Sequence, residues 1–194
     1  MPDRIAAVIL AAGASQRLGQ PKQLIQVGGE SLLRRTARLA AQAGCATVWV
    51  VLGFAAEQMW PELQGLPVQA LTNAHWGRGM ASSLRSGVSA AQVSADAVLL
   101  LVCDQFRLSA DHLRALLTQH RGGTAAITAS EYGGRLGVPA IFSARLFSEL
   151  LQIEGDQGAR EVIERHPAET QTVSWPEGTF DLDSPEQLKG ISAE

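Results

Sequence analysis

Short apolar runs rich in β-branched residues alternate with longer stretches whose apolar positions recur every three to four residues. That alternation predicts an α/β fold, a mostly parallel sheet with helices on both faces, as in a three-layer α/β/α sandwich. The runs are RIAAVIL (Arg4 to Leu10), ATVWVVLG (Ala46 to Gly53), PVQALT (Pro67 to Thr72), DAVLLLVCD (Asp96 to Asp104) and, later, TAAITAS, VPAIFS and TQTVSW. The fourth is apolar almost throughout, the pattern of a central strand buried on both faces. Between them, SLLRRTARLAAQAG starts at a capping residue, Ser31, stops at Gly44, and sets Leu32, Thr36, Leu39 and Ala43 on one helical face. SADHLRALLTQHRGG repeats the design, with Ser109 as cap and Gly122 past the last turn. No internal repeat, linker or low-complexity tract interrupts the pattern, so one domain over residues 1–194 is expected.

Composition narrows the chemistry. At 194 residues and 46% hydrophobic content the chain can bury a sizeable core, and its net charge of −3 carries no cationic footprint for nucleic acid or a membrane surface. Cys45 and Cys103 lie beside strand-like sequence and read as buried free thiols rather than a disulfide framework. MPDRIAAVILAAG makes a poor signal peptide, and no segment reaches the roughly 18 continuous apolar residues of a membrane span. A cytoplasmic enzyme acting on a small molecule is the expectation.

In doubly covered sheets, ligands sit beyond the carboxyl ends of the strands. Three segments fall there: the loop LAAGASQRLGQPK (residues 10–22), CDQF after the central strand, and FDLDSPEQL near the C-terminus. In the first, Gly13 and Gly19 relax the backbone, and with Ala11, Ala12 and Ser15 they admit a phosphate chain close to the amides. Arg17 supplies a planar fork for phosphate oxygens and Lys22 a compact charge, both suited to charge developing on phosphorus. The spacing matches neither G-x-x-x-x-G-K-[ST] nor the G-x-G-x-x-G of dinucleotide-dependent oxidoreductases, and the next helix begins only near Ser31. Asp104, ending the most apolar strand, would place a hard oxygen ligand at the sheet edge, where Mg²⁺ binds through one or two carboxylates plus substrate phosphates.

LAAGASQRLGQPK resembles the signature L-A-A-G-x-S-x-R-[ML]-G-x-x-K of nucleotidyltransferases that activate sugars and cofactors. TNAHWGRGMASSLRSGV, CDQF, GVPAIF, EGDQGARE and FDLDSPEQL extend the likeness, in order, to the molybdenum cofactor cytidylyltransferases and the nearby guanylyltransferases. The resemblance implies a Rossmann-like fold of the nucleotide-diphospho-sugar transferase type. It implies Mg²⁺-dependent transfer of a nucleotidyl group from a triphosphate to the terminal phosphate of a molybdopterin-type acceptor, with pyrophosphate released and a molybdoenzyme or its maturation chaperone downstream. Members commonly carry proline after CDQ, whereas Phe106 stands here.

Carried over residue by residue, the resemblance makes Arg17, Lys22 and Asp104 catalytic, and gives the nucleotide Leu10, Ala11, Ala12, Gly13, Ser15, Arg17, Lys22, Gly79, Ser82 and Ser83. The metal falls to Asp104 with Asp183, the aspartate before Ser184-Pro185, or Asp181; that segment also reads as an ordinary helix start. Gly137, Pro139, Asp156, Gly158 and Arg160 fall on the acceptor side, although Arg160 also has Glu164 one turn away as an ion-pair partner. Asn73 and His75 receive no role. LAAG, with Ala12 where guanylyltransferases resemble LAGG, leads to the expectation that a methyl there crowds a purine and favours CTP. A cofactor chaperone that kept the pocket without turnover is the non-enzymatic rival; retention of Arg17, Lys22 and Asp104 together argues against it.

Overall fold

The computed structural model describes residues 4–15 and 18–180. In chain order the elements are β1 (Ile5–Ala11), a small hairpin of β2 (Gln26–Val27) and β3 (Glu30–Ser31), α1 (Leu32–Ala43), β4 (Thr47–Leu52), α2 (Ala56–Met59) and β5 (Gln69–Thr72). They continue through α3 (Met80–Ala91), β6 (Ala97–Val102), α4 (Ala110–Gly122), β7 (Ile127–Tyr132), β8 (Arg135–Ser143), α5 (Phe147–Leu150), α6 (Arg160–Arg165) and β9 (Thr170–Ser174). Seven strands form one sheet in the order β5-β4-β1-β6-β8-β7-β9.

Strand alternation builds the layers. On β1, Ile5, Ala7, Ile9 and Ala11 join a core with Leu33, Ala37 and Ala40 of α1 and Leu113 and Leu117 of α4. Ala6 and Val8 point the other way, into a core with Leu84 and Val88 of α3 and Val162 and Ile163 of α6. Leu99 and Leu101 against Val98 and Leu100 divide β6 in the same manner, so the near-continuous apolar run is the signature of a strand buried on both faces. Each fully buried aliphatic side chain contributes roughly 1.5–3 kcal/mol.

The expected caps form: the Ser31 hydroxyl accepts from the Arg34 amide and Ser109 from His112, at 3.1 and 3.2 Å, and Gly44 closes α1 in the left-handed conformation. Gly122 is the last residue of α4 rather than the residue past it; Gly123 takes the cap.

One strand departs from the parallel expectation. TAAITAS and VPAIFS pair as an antiparallel hairpin, so β8 alone runs against the rest of the sheet, hydrogen-bonding β6 on one edge and β7 on the other. Gly133 and Gly134, at φ 55° and 70°, make the two-residue turn, and positive φ at both central residues gives it a handedness that matches the twist of the strands. The turn falls at the sheet edge reached by the carboxyl ends of β1, β4 and β6. No helix among the described residues is long and apolar enough to cross a membrane.

Candidate active site

The carboxyl ends of β1 and β6, the loop after β5 and the start of α3 enclose a cleft of ≈ 510 Å³. Leu10, Ala12, Gly13, Ser15 and Lys22 line it from the first loop, Gly79 and Ser83 from α3 and its approach, and Asp104 and Asp156 from the far side.

The loop after β1 is held open by its own chain. Gln23, 2% exposed, donates through Nε2 to the carbonyls of Ala11 and Gly13 at 3.0 and 2.8 Å, so Ala11 serves as an anchor behind the cleft rather than as lining. The Lys22 amide donates to the Ser15 hydroxyl at 3.1 Å, and Ser15 itself sits at φ 51°. Lys22 thereby lies beside Asp104, and its Nζ forms an ion pair with Oδ2 of that residue, both side chains largely buried. Asp104 stands two residues past β6, while Ser109 caps the following helix. The competing assignment of Asp104 as helix cap therefore fails. Next to it, burial pushes the Cys103 thiol up to about 12, helped by the Asp104 charge, so Cys103 offers the cleft no thiolate.

The facing wall rests on a close backbone crossing. A Cβ on Gly79, at φ 98°, would collide with the carbonyl of Gly155 and lie 2.7 Å from the Asp156 carboxylate, while the Ala81 amide donates to Gly155 O at 3.1 Å. Only glycine permits this crossing. Ser82 and Ser83 lie in the first turn of α3, both about 5% exposed, but only Ser83 lines the cleft. Ser82 turns inward and donates to the carbonyls of His75 and Gly79 at 2.9 and 3.0 Å.

Trp76 and Met80 line the cleft too, although sequence reading gave them no role. Phe54 packs edge-on against Trp76, with ring centroids 5.4 Å apart. The glycines around Trp76 in HWGRG were the available signal, since they leave an aromatic ring on a loop at the sheet edge.

A second, more apolar recess of ≈ 250 Å³ shares Leu10, Met80, Val102 and Asp156 with the first and extends toward Tyr132, Gly137, Val138, Gly158 and Arg160. Gly137 lets the Tyr132 ring lie across β8, where an added Cβ would meet its hydroxyl. Pro139 lies behind this recess, its carbonyl accepting from Ser130 at 2.6 Å, and does not line it. Arg160 reaches the rim while pairing with Glu164 at 2.8 Å. Arg17, Asp181 and Asp183 lie outside the described residues.

Ala12 lines the cleft and is 4% exposed; its methyl lies against Gly53, where an added Cβ would fall 2.7 Å from it.

A divalent cation suits the donor chemistry: Asp104 is a hard carboxylate facing the same space as the amides of the first loop. Among the described residues no three His, Cys, Asp or Glu side chains gather into a full cage. That combination suits an ion shared between a carboxylate or two and substrate phosphates.

A mostly parallel, doubly covered sheet with a cleft at its carboxyl edge is the Rossmann-like architecture of nucleotidyltransferases. The chain belongs to the MobA-like NTP transferase domain family, whose model matches residues 7–170. A probable molybdenum cofactor guanylyltransferase of Synechococcus elongatus is 39% identical over 110 residues, covering 57% of this chain. That match spans about half, 55%, of the relative's length. The purine catabolism protein PucB of Bacillus subtilis is 30% identical over 169 residues, covering 82% of this chain and 80% of its own. Among solved structures, the Rv0371c homologue from Mycobacterium sp. strain JC1 superposes with a TM-score of 0.82 at 30% identity, covering 100% and 99% of the two chains. Rv0371C of Mycobacterium tuberculosis in complex with manganese gives 0.76 at 27% identity, with 97% of each chain covered.

Proposed function

We propose that this protein is a nucleotidyltransferase of molybdenum cofactor biosynthesis, transferring GMP from GTP to the terminal phosphate of a molybdopterin-type acceptor and releasing pyrophosphate. The observation that carries the reading is the convergence of the 12–15 loop, Lys22 and Asp104 in one cleft that opens into a second recess. Triphosphate oxygens take the amides of the loop, as in other backbone cradles for phosphate. The anionic triphosphate draws Lys22 Nζ from Asp104, so the amine neutralises charge on the phosphates where it develops. The acceptor phosphate, held on the Gly137–Arg160 side, attacks the α-phosphorus. A P–O bond forms to it as the bond to the bridging oxygen of the leaving pyrophosphate breaks. No protein nucleophile is required, and catalysis rests on alignment and electrostatics.

Asp104 would hold Mg²⁺, with Asp183 or Asp181 as the second carboxylate. Such an ion, when bound, supplies Lewis-acid polarisation of the phosphoryl oxygens. The manganese in the mycobacterial neighbour supports a divalent ion in this fold. The choice of GTP over CTP, against the expectation drawn from Ala12, follows the guanylyltransferase relatives. The test is pyrophosphate release from GTP, CTP or ATP with molybdopterin and Mg²⁺. Release that is largest with GTP supports the reading; a preference for CTP transfers the chemistry to the cytidylyl branch, and no release with any triphosphate overturns it.

A further inference from the structure

Behind the cleft wall lies a buried cluster whose hydrogen atoms can be followed one by one. Asn73, 5% exposed, sits just after β5 and accepts at Oδ1 from the backbone amide of His75 at 2.9 Å. That amide can only donate, so the orientation of the Asn73 side chain is settled: its NH₂ group faces α3 and donates to both serine hydroxyls, Ser82 Oγ at 2.8 Å and Ser83 Oγ at 3.0 Å. Ser82 uses its own hydrogen on the carbonyls of His75 and Gly79. Ser83 accepts in the same way, yet among the described residues its hydroxyl has no acceptor, and it lines the cleft. One hydrogen of the cluster is therefore unspent, and it belongs to the side chain on the cleft wall.

We propose that Asn73 is a positioning residue that holds the Ser83 hydroxyl as a hydrogen-bond donor toward the cleft, where it reads an acceptor oxygen of the incoming nucleoside. The inference rests on the nucleotidyltransferase reading and extends it to a residue that touches no substrate. A donated bond to Ser83 Oγ occupies a lone pair and biases the O–H away from Asn73, while polarising it toward the next acceptor. Such a donor favours a carbonyl or ribose oxygen and offers nothing to an exocyclic amine. It acts as a selectivity filter against adenine at the base or as a ribose contact, and the two sources share one chemistry.

Asn73→Asp tests this with little change in volume. The retained oxygen still accepts from His75, but the second becomes an acceptor and turns both hydroxyls inward. Ser83→Ala removes the donor alone, and Ser83→Thr restores it. Steady-state pyrophosphate release is measured for each variant with GTP, ATP and 2′- and 3′-deoxy-GTP, alongside thermal unfolding. Asn73→Asp and Ser83→Ala are expected to raise the KM for GTP roughly 3- to 10-fold, the worth of one net hydrogen bond, with kcat within about twofold, and Ser83→Thr to stay near wild type. Loss of GTP-over-ATP selectivity in Ser83→Ala assigns the oxygen to the base; no further loss on a deoxy-nucleotide assigns it to the ribose. An unchanged KM in Ser83→Ala, or an Asn73→Asp defect confined to melting temperature, overturns the proposal. A wild-type protein that releases no pyrophosphate overturns the function itself, an outcome read before any variant is compared.

Discussion

The Asn73 cluster has a counterpart on the other side of β6, and the two differ in one hydrogen. In the second, His112 Nε2 lies 2.8 Å from Ser130 Oγ, and Ser130 donates to the carbonyl of Pro139 at 2.6 Å. The only hydrogen of the serine is spent on that carbonyl, so His112 donates from Nε2, and its ring stacks on Trp175 with centroids 4.7 Å apart. Burial pushes the histidine down to about 4, so it stays neutral at ordinary pH. Both clusters are buried; the first ties the loop after β5 to α3, and the second ties α4 to β7 and β8. The Ser130 hydroxyl has both ends engaged inside the protein, whereas the Ser83 hydroxyl keeps a donor at the cleft. A serine with both ends engaged stiffens a fold; one with an end left over can serve a ligand.

If that contrast is right, substitutions along the cleft move kinetics and leave melting nearly alone, while substitutions in the His112 cluster do the reverse. The largest effect is expected from Lys22→Ala, with kcat for pyrophosphate release falling by about 10²–10³ and the melting temperature by less than about 4 °C. A kcat near wild type removes the charge-stabilising role. Asp104→Asn follows, because an amide oxygen lacks the charge a hard cation needs. Activity at ordinary Mg²⁺ should nearly vanish and return in part at high Mg²⁺, whereas full activity throughout would count against the site.

On the other side of the contrast, Ser130→Ala leaves a buried carbonyl and an imidazole N–H unpaired, a cost of about 1–3 kcal/mol. Melting should drop by roughly 3–10 °C while kcat/KM for GTP holds within about twofold. A kinetic defect without destabilisation would erase the distinction between the clusters. Titration sharpens it further. The folded state resists protonating His112, so below about pH 6.5 the unfolded chain takes up a proton that the folded one refuses, down to about pH 4. Stability should fall as pH is lowered through that window, and urea midpoints of His112→Gln should show a shallower slope.

The smallest effect has the opposite sign. His166, bridged to Glu149 at 2.7 Å and Glu169 at 3.1 Å, is raised, chiefly by the hydrogen bond to Glu149. Its contribution is complete below about pH 6.5 and lost as pH rises through the elevated value. His166→Gln should remove a decline of under about 1 kcal/mol. A decline identical in the variant would assign it to other groups.

How much of this the chain announced in advance depends on whether the signal was local. Ser31, Gly44 and Ser109 marked their helix ends correctly because a cap is a contact within a few residues, and the apolar run ending at Asp104 named the central strand. Gly13, Ser15 and Asp104 were legible as cleft residues because each lies within a few residues of a strand end, and Lys22 because it closes the motif that begins there. The direction of β8 was not legible, since alternation of apolar residues is the same whichever way a strand runs. Ser82 and Ser83 looked equivalent in sequence, but neighbours on a helix point about 100° apart, so one turned inward and the other reached the cleft. The contact of Ala12 with Gly53 was not legible either, since the two residues follow different strands. Trp76 likewise takes its position beside Phe54 from another loop, and Gln23 from carbonyls at the opposite end of its own loop.

The lone reversed strand has a consequence for how such a protein changes over generations. Because β8 runs backward, the rim beside the second recess is the tip of a hairpin, turning at Gly133 and Gly134, and not a loop feeding a helix. A hairpin tip can gain or lose residues with every core contact of its strands kept, whereas lengthening the Gly13–Lys22 loop would break the Gln23 anchors that shape it. One rim is free to drift and the other is tied down. Under the proposed function, change at the hairpin tip would alter the acceptor side at little structural risk and leave the nucleotide side as it is.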